Sequence, residues 1–281
     1  MSAGSGGQGS RRARPAGRLE DCRDDLALPP LPMTGLSPLD AVRSTSGPLH
    51  NLGGRLMASR STFRRGAEWG WSDGLSFYVA GRGGVLGDVD AEVVAAAFGF
   101  FNPASIAPLW ERGVAVAGAR AAARRYNEAA AAWGRDRFDD DDDIGQLASL
   151  GERVIAAADG AALPLFAGWR AEPRVDDRAG HAGQVIHVLR EWRGGNHLVA
   201  TVAVGLRPLE AVLTSDGPQQ ATVCGWSEPF PDCQGLVPLR QEAEGLTDRL
   251  CSAAFERGLD SGERAAFAAL VGAAHARVTG G

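Results

Sequence analysis

The stretch His181–Ser215, HAGQVIHVLREWRGGNHLVATVAVGLRPLEAVLTS, constrains the fold more than any other part of the chain. Its apolar residues Val185, Val188, Leu189 and Trp192 lie three to four apart, the spacing of one helix face. Arg193-Gly194-Gly195-Asn196 then predicts a break, because paired glycines disfavour helix and supply positive φ. His197–Val204 is apolar and small. Gly205 stops it, and Arg207-Pro208 opens a further helix, with proline tolerated in the first turn. That helix runs through Leu213 to a turn at Asp216-Gly217-Pro218. Three short helices joined by tight turns are the pattern of a helix-turn-helix or winged-helix core, a pattern that any three-helix subdomain shares.

The rest of the chain reads the same way. Residues 1–36 are rich in Gly, Ser, Pro and charge, and are expected to be a disordered tail that includes Arg11, Arg12 and Arg14. Order is expected from about Ser37-Pro38-Leu39-Asp40. Leu49, Leu52, Leu56 and Met57 give a helical period, and Gly74–Arg82 a short apolar helix. Gly81–Gly87 reads as a turn, since it has neither the Lys-Ser/Thr of a P-loop nor G-x-G-x-x-G. Asp88–Phe98, capped by Asp88 or Asp90, and Ala104–Gly113 make a second helix pair across Asn102-Pro103. Val114–Trp133, dominated by alanine, predicts one long helix. Asp139–Asp143 lacks the closing Glu of a calcium loop and reads as an acidic linker with Asp143 near a helix N-terminus, the end that favours negative charge. Ile144–Ala158, Leu239–Arg257 and Ser261–Arg277 are amphipathic helices, and Gln219–Trp226 has strand character. The expected fold is mainly α. Its domains are a helix-turn-helix-like unit over 37–138, the linker 139–143 and a second such unit over 144–281.

Composition bounds the function. All 29 basic residues are arginine, against 34 acidic ones, for a net charge of −5. Any nucleic-acid surface must therefore be local, since dedicated non-specific binders carry a basic footprint. Cys22, Cys224, Cys233 and Cys251 form no C-x-x-C pair and read as free, mostly buried thiols. No apolar run approaches the roughly 18 residues of a membrane span, and a cytoplasmic location is expected. The five histidines are scattered, no G-x-S-x-G occurs, and no metal, cofactor or catalytic set is expected.

Several motifs resemble the actinobacterial SalK-like family of helix-turn-helix, winged-helix-type proteins. They are Phe77–Arg82 with Leu86-Gly87 and Phe100-Phe101-Asn102-Pro103, then Pro164–Ala167, and most distinctively Leu189–His197, LREWRGGNH. Gly225-Trp226 and Glu244–Leu250 are further matches, and His50 stands where the family tends to carry a histidine on its first helix. The resemblance covers about residues 38 to 275. It implies a helix-turn-helix regulatory role, with ties to secondary metabolism. The chain departs from it in two places. The family's R-G-D-G-H is Arg-Gly-Gly-Asn-His here, and only Ser227–Pro238 remains where the family places a helix and a wing, so the C-terminal wing is expected to be truncated.

His50, Arg82, Asn102, Arg193 and His197 are the candidate ligand-pocket residues, because His and Arg around an interhelical pocket bind or polarise an anion or carbonyl. Each also has a structural alternative as a helix cap or helix-end partner. Arg207 is the one candidate nucleic-acid contact on the third helix. Two functions fit. One is a helix-turn-helix regulatory or accessory protein that binds DNA or a small molecule, with pairing into a homodimer. The other is a small-molecule enzyme or ligand-binding protein on a degenerate winged-helix scaffold without DNA binding.

Overall fold

Short polar side chains start most of the helices. In the computed structural model, which describes residues 35–280, Ser37 accepts a hydrogen bond from the Asp40 amide and starts α1 (Pro38–Met57). Ser59 caps α2 (Arg60–Glu68), and Asp73 caps α3 (Gly74–Gly83). A single tight turn, Gly84–Leu86, leads to α4 (Ala91–Phe98) and the Asn102-capped α5 (Pro103–Ala117). Then follow α6 (Ala119–Arg137), α7 (Asp142–Ala157) and α8 (Pro164–Ala171). The last group is α9 (Arg178–Ala203), α10 (Pro208–Ser215), α11 (Gly217–Val223), α12 (Val237–Gly258) and α13 (Ser261–Thr279). The fold is mainly α. The described residues contain no strand, and therefore no β-hairpin wing. Most of the tail expected over 1–36, with Cys22 and the three N-terminal arginines, lies outside the described residues.

Three expectations need correction. The break at Arg193–Asn196 does not occur: α9 runs unbroken for 26 residues through Gly194 and Gly195. Each glycine costs a helix up to about 1 kcal/mol relative to alanine, but tertiary packing overrides that cost. A Cβ on Gly195 would stand 2.9 Å from Leu163 Cδ2, so the missing side chain lets the preceding loop close on the helix. Conversely, the alanine-rich stretch is two helices, because Gly118 takes φ +83° between α5 and α6. Gln219–Trp226 is helical over α11 rather than a strand. The acidic run does meet a helix N-terminus: Asp141 accepts from the Ile144 amide at 2.9 Å, and Asp142 and Asp143 occupy the first turn of α7.

Helix α9 is the axle. It packs against α1, α6, α7, α8 and α12. Its closest approach is to α6, where a Cβ on Gly183 would lie 2.4 Å from the Ala130 carbonyl oxygen. One buried cluster extends from Ala41 to Ala274 across the Asp139–Asp143 run, with Trp71, Phe77, Tyr126, Trp133, Phe166 and Trp169 at its centre. Three of the buried aromatic residues satisfy their polar tips. Tyr126 Oη donates to Met57 O at 2.8 Å, Trp71 Nε1 to Gly113 O at 2.8 Å and Trp169 Nε1 to Arg82 O at 3.1 Å. A smaller cluster of Val212, Ala221 and Cys224, with Phe100, Phe101 and Trp226 against it, holds α10 and α11 to the α4–α5 turn.

Candidate functional site

The continuity of α9 decides where its polar residues point. His187 and Glu191, four apart, share one face. Arg190, Arg193 and His197 follow at i, i+3 and i+7 and share another. The two faces carry two different polar clusters.

The first cluster is closed. Arg82, from α3, grips Glu191 with both forks, Nε to Oε1 at 2.6 Å and Nη2 to Oε2 at 3.0 Å. Its Nη1 donates to Tyr78 Oη at 3.1 Å, and its guanidinium lies 4.3 Å from the Phe98 ring centroid. The Arg82 side chain is 10% exposed and that of Glu191 1%. Burial alone would push Glu191 up, but the Arg82 charge and hydrogen bonds hold it below the ordinary carboxylate range. One turn away, His187 is fully buried between Tyr126 and Trp169, its ring 4.4 Å from the indole centroid. Neither of its ring nitrogens has a hydrogen-bond partner, and burial lowers it from 6.5 to about 4.

The second cluster is charged in excess. Arg193 Nη2 donates to Glu244 Oε2 on α12 at 2.8 Å, and Arg240 Nη1 lies against Glu244 Oε1 without hydrogen-bond alignment. Burial would raise Glu244, but His197, Arg193 and Arg240 hold it down. Arg190 has no hydrogen bond or ion pair among the described residues, and its Nε is buried without a partner. Its stem runs over Gly53 of α1, where a Cβ would come within 2.5 Å of Arg190 Cγ. Burial, and then Arg82, lowers this guanidinium below its usual value.

Hydrogen bonding fixes the His197 tautomer. Thr247 Oγ1 gives its proton to Ala243 O at 2.7 Å, so the 2.8 Å contact with His197 Nδ1 has the ring nitrogen as donor. Nε2 is then the bare acceptor, 4.0 Å from Glu244 Oε1. Burial, together with Arg240, Arg193 and Arg190, keeps the ring neutral well below its ordinary pKa despite Glu244. Phe100 covers it at 5.6 Å between ring centroids.

The residues singled out by sequence therefore separate into groups. Arg193 and His197 meet at Glu244. His50, on α1, feels their charge but makes no hydrogen bond or ion pair with them among the described residues. Partial burial, then Arg190 and Arg193, lowers it to about 4, although the residue itself is exposed. Arg82 belongs to the closed cluster on the other face. Asn102 acts as a clamp: it caps α5, donates from Nδ2 to Gly225 O at 2.9 Å, and its amide N–H bonds Cys224 O at 2.8 Å. Arg190, Glu191, Arg240 and Glu244 were not singled out. Arg190 would have been found from the i, i+3, i+7 pattern had α9 been read as continuous, and Glu191 from its place four residues after His187.

No metal-ligating group of three or more His, Cys, Asp or Glu occurs among the described residues. Beside Arg193 lies a void of about 10 Å³, lined also by Thr45, Leu189, Trp192 and Cys251, with room for about one water. An open depression of about 350 Å³ lies on the outer side of α1, lined by His50, Asn51, Gly54, Arg55 and Thr279.

After α9 the chain turns through Val204-Gly205-Leu206-Arg207, with Gly205 at φ +83°, and α10 leaves at a bend of 110°. A short glycine-bearing turn between helices at such an angle is the helix-turn-helix connection. A family model described as a helix-turn-helix family matches residues 40–230. The chain belongs to this helix-turn-helix family. No curated protein matches the chain, and no solved structure does. In this helix-turn-helix protein the second helix, α10, offers little to a phosphate backbone. Its single arginine, Arg207, is folded back on Glu210, with Nε to Oε1 at 2.8 Å and the Arg207 amide to Oε2 at 2.9 Å. No single described helix is long and apolar enough to cross a membrane.

Proposed function

We propose that this helix-turn-helix protein is a regulatory or accessory protein whose specificity resides in a small-molecule site on the Arg190–Arg193–His197 face of α9, closed by α12. The observation that carries this reading is the charge arrangement. Two guanidiniums, those of Arg193 and Arg240, share one carboxylate, Glu244, and beside them on α9 Arg190 has no hydrogen-bond or ion-pair partner among the described residues. Buried charges are normally paired, so a surplus on one helix face reads as a receptor for something the protein does not itself supply. His50 on α1 and the His197 Nε2 acceptor add groups that would orient a ligand. By its SalK-like motifs we place the protein with actinobacterial helix-turn-helix proteins that serve secondary metabolism, acting in the cytoplasm as a homodimer.

The 110° turn between α9 and α10 supports DNA binding as a second reading. The charge on α10 favours the first. One experiment separates them. Electrophoretic mobility of the protein's own upstream DNA is measured at low salt beside thermal unfolding against a metabolite panel. Ligand stabilisation that Arg193→Met abolishes, with no salt-dependent DNA shift, supports the small-molecule reading. A DNA shift that Arg207→Ala weakens and Arg193→Met leaves intact would reverse it.

A further inference from the structure

We infer that the site takes the phosphate group of a small metabolite, with Arg190 and Arg193 as its principal ligands and Arg240 completing the cradle. This rests on the small-molecule reading above and names the ligand class.

The argument is one of charge, geometry and access. The Arg82–Glu191 pair is neutral, bidentate and jacketed by Tyr78 and Phe98, and each of the three Arg82 nitrogens already has a partner. On the neighbouring face, Arg193 and Arg240 share the Glu244 carboxylate, Arg240 also reaches Asp216 through Ser215, and Arg190 stands unpaired, so positive charge is in excess. A phosphate monoester at neutral pH carries a charge of about −1.5 to −2 and three acceptor oxygens. Three acceptors serve two adjacent guanidinium forks better than the two of a monocarboxylate do.

Residues 190 and 193 are three apart on a straight helix, so their side chains rise side by side, and guanidinium forks match phosphate oxygens. The donors are also unspent. No Arg190 nitrogen has a partner among the described residues, and the buried Nε atoms of Arg193 and Arg240 have none either. The groove is built for Arg190: Gly53 leaves room for its stem, and Gly194, one turn along α9, leaves room for its Nη1, 2.7 Å from where a Cβ would stand. His197, neutral with Nδ1 committed to Thr247, presents the Nε2 lone pair. It would accept a hydrogen bond from a hydroxyl of the metabolite or from a singly protonated phosphate.

The test uses the full chain and inorganic phosphate as the probe. Thermal unfolding is followed against phosphate from micromolar to tens of millimolar, with chloride adjusted to hold ionic strength constant. Succinate and a neutral sugar serve as parallel titrants. The expected result is a saturable rise in Tm with phosphate that Arg190→Met and Arg193→Met each reduce at least tenfold in apparent affinity. The distant surface variant Arg64→Met should leave it unchanged. Should Arg190→Met fail to give native circular dichroism, Arg193→Met and Arg240→Met carry the comparison. A wild-type Tm that phosphate moves no more than chloride does would overturn the phosphate assignment. So would a shift that survives in Arg193→Met. If succinate or the neutral sugar alone stabilises the protein, and Arg193→Met abolishes that, the small-molecule site stands and the phosphate assignment falls. If stabilisation by any titrant is insensitive to all three arginines, the site itself is wrong.

Discussion

Two arginine clusters share α9 less than a turn apart, and they differ in what surrounds them. At Arg82 every nitrogen has a partner: Glu191 takes Nε and Nη2, Tyr78 takes Nη1, and Phe98 lies over the guanidinium. At Arg190 nothing among the described residues answers, and the neighbouring Arg193 and Arg240 share Glu244, with Ser215 taking one further Arg240 donor. The same residue type, on helices packed together, is thus scaffold in one place and surplus in the other. Proteins tolerate surplus buried charge where a ligand or partner compensates it, and local inconsistencies of this kind cluster at functional sites.

The largest expected effect lies in the closed cluster. Glu191→Ala leaves Arg82 charged and unpaired inside the core, and chemical denaturation should show a loss of about 3–5 kcal/mol. A loss below about 1 kcal/mol would mean that Arg82 reaches water and that the two clusters are alike.

Next comes acid sensitivity. His187 is neutral in the folded chain because burial lowers it from 6.5 to about 4. Between those values the unfolded chain binds the extra proton, so stability from this group is full above pH 6.5 and falls as the pH drops towards 4, by roughly 3 kcal/mol at 1.36 kcal/mol per unit. His187→Leu should flatten that part of the stability–pH curve and cost little at pH 7, since neither ring nitrogen has a partner to lose. An unchanged slope would move the acid sensitivity to His50 or His197.

Smaller again is Gly194→Ala. Alanine should improve the middle of α9 by up to about 1 kcal/mol. Its Cβ would displace only the mobile end of Arg190, 2.7 Å away. The variant should hold or gain stability while weakening any anion response. A clear loss of stability would show that Arg190 is locked in place as firmly as Arg82. The smallest effect is expected at Arg207, exposed and paired with its own helix's Glu210. Arg207→Ala should leave the Tm within error.

Much of the architecture was legible from local signals. Ser37, Asn102 and the turn at Gly205 stand where capping and glycine chemistry place them. The fold class followed from helical periodicity with little strand pattern. What was not legible is tertiary. Gly194-Gly195 reads as a break by propensity, and only the close approach of Leu163 shows why the helix continues. Gly118, one glycine in a run of alanines, breaks a helix that propensity extends. For the site, Arg193 and His197 were visible as polar residues in a distinctive motif. Their partners Glu244 and Thr247 are about 50 residues further on, beyond the residues matched by the family model, and no local rule joins them. Asn102 shows the converse: its capping role explains it fully.

The difference between the two clusters is tested most directly by the stability of Arg190→Met in denaturant at pH 7 without added ligand. Methionine keeps the apolar stem over Gly53 and removes the surplus charge. The prediction is a protein as stable as the parent or more so, with the m-value unchanged. A loss of several kcal/mol, comparable to that of Glu191→Ala, would contradict it and make Arg190 part of the scaffold.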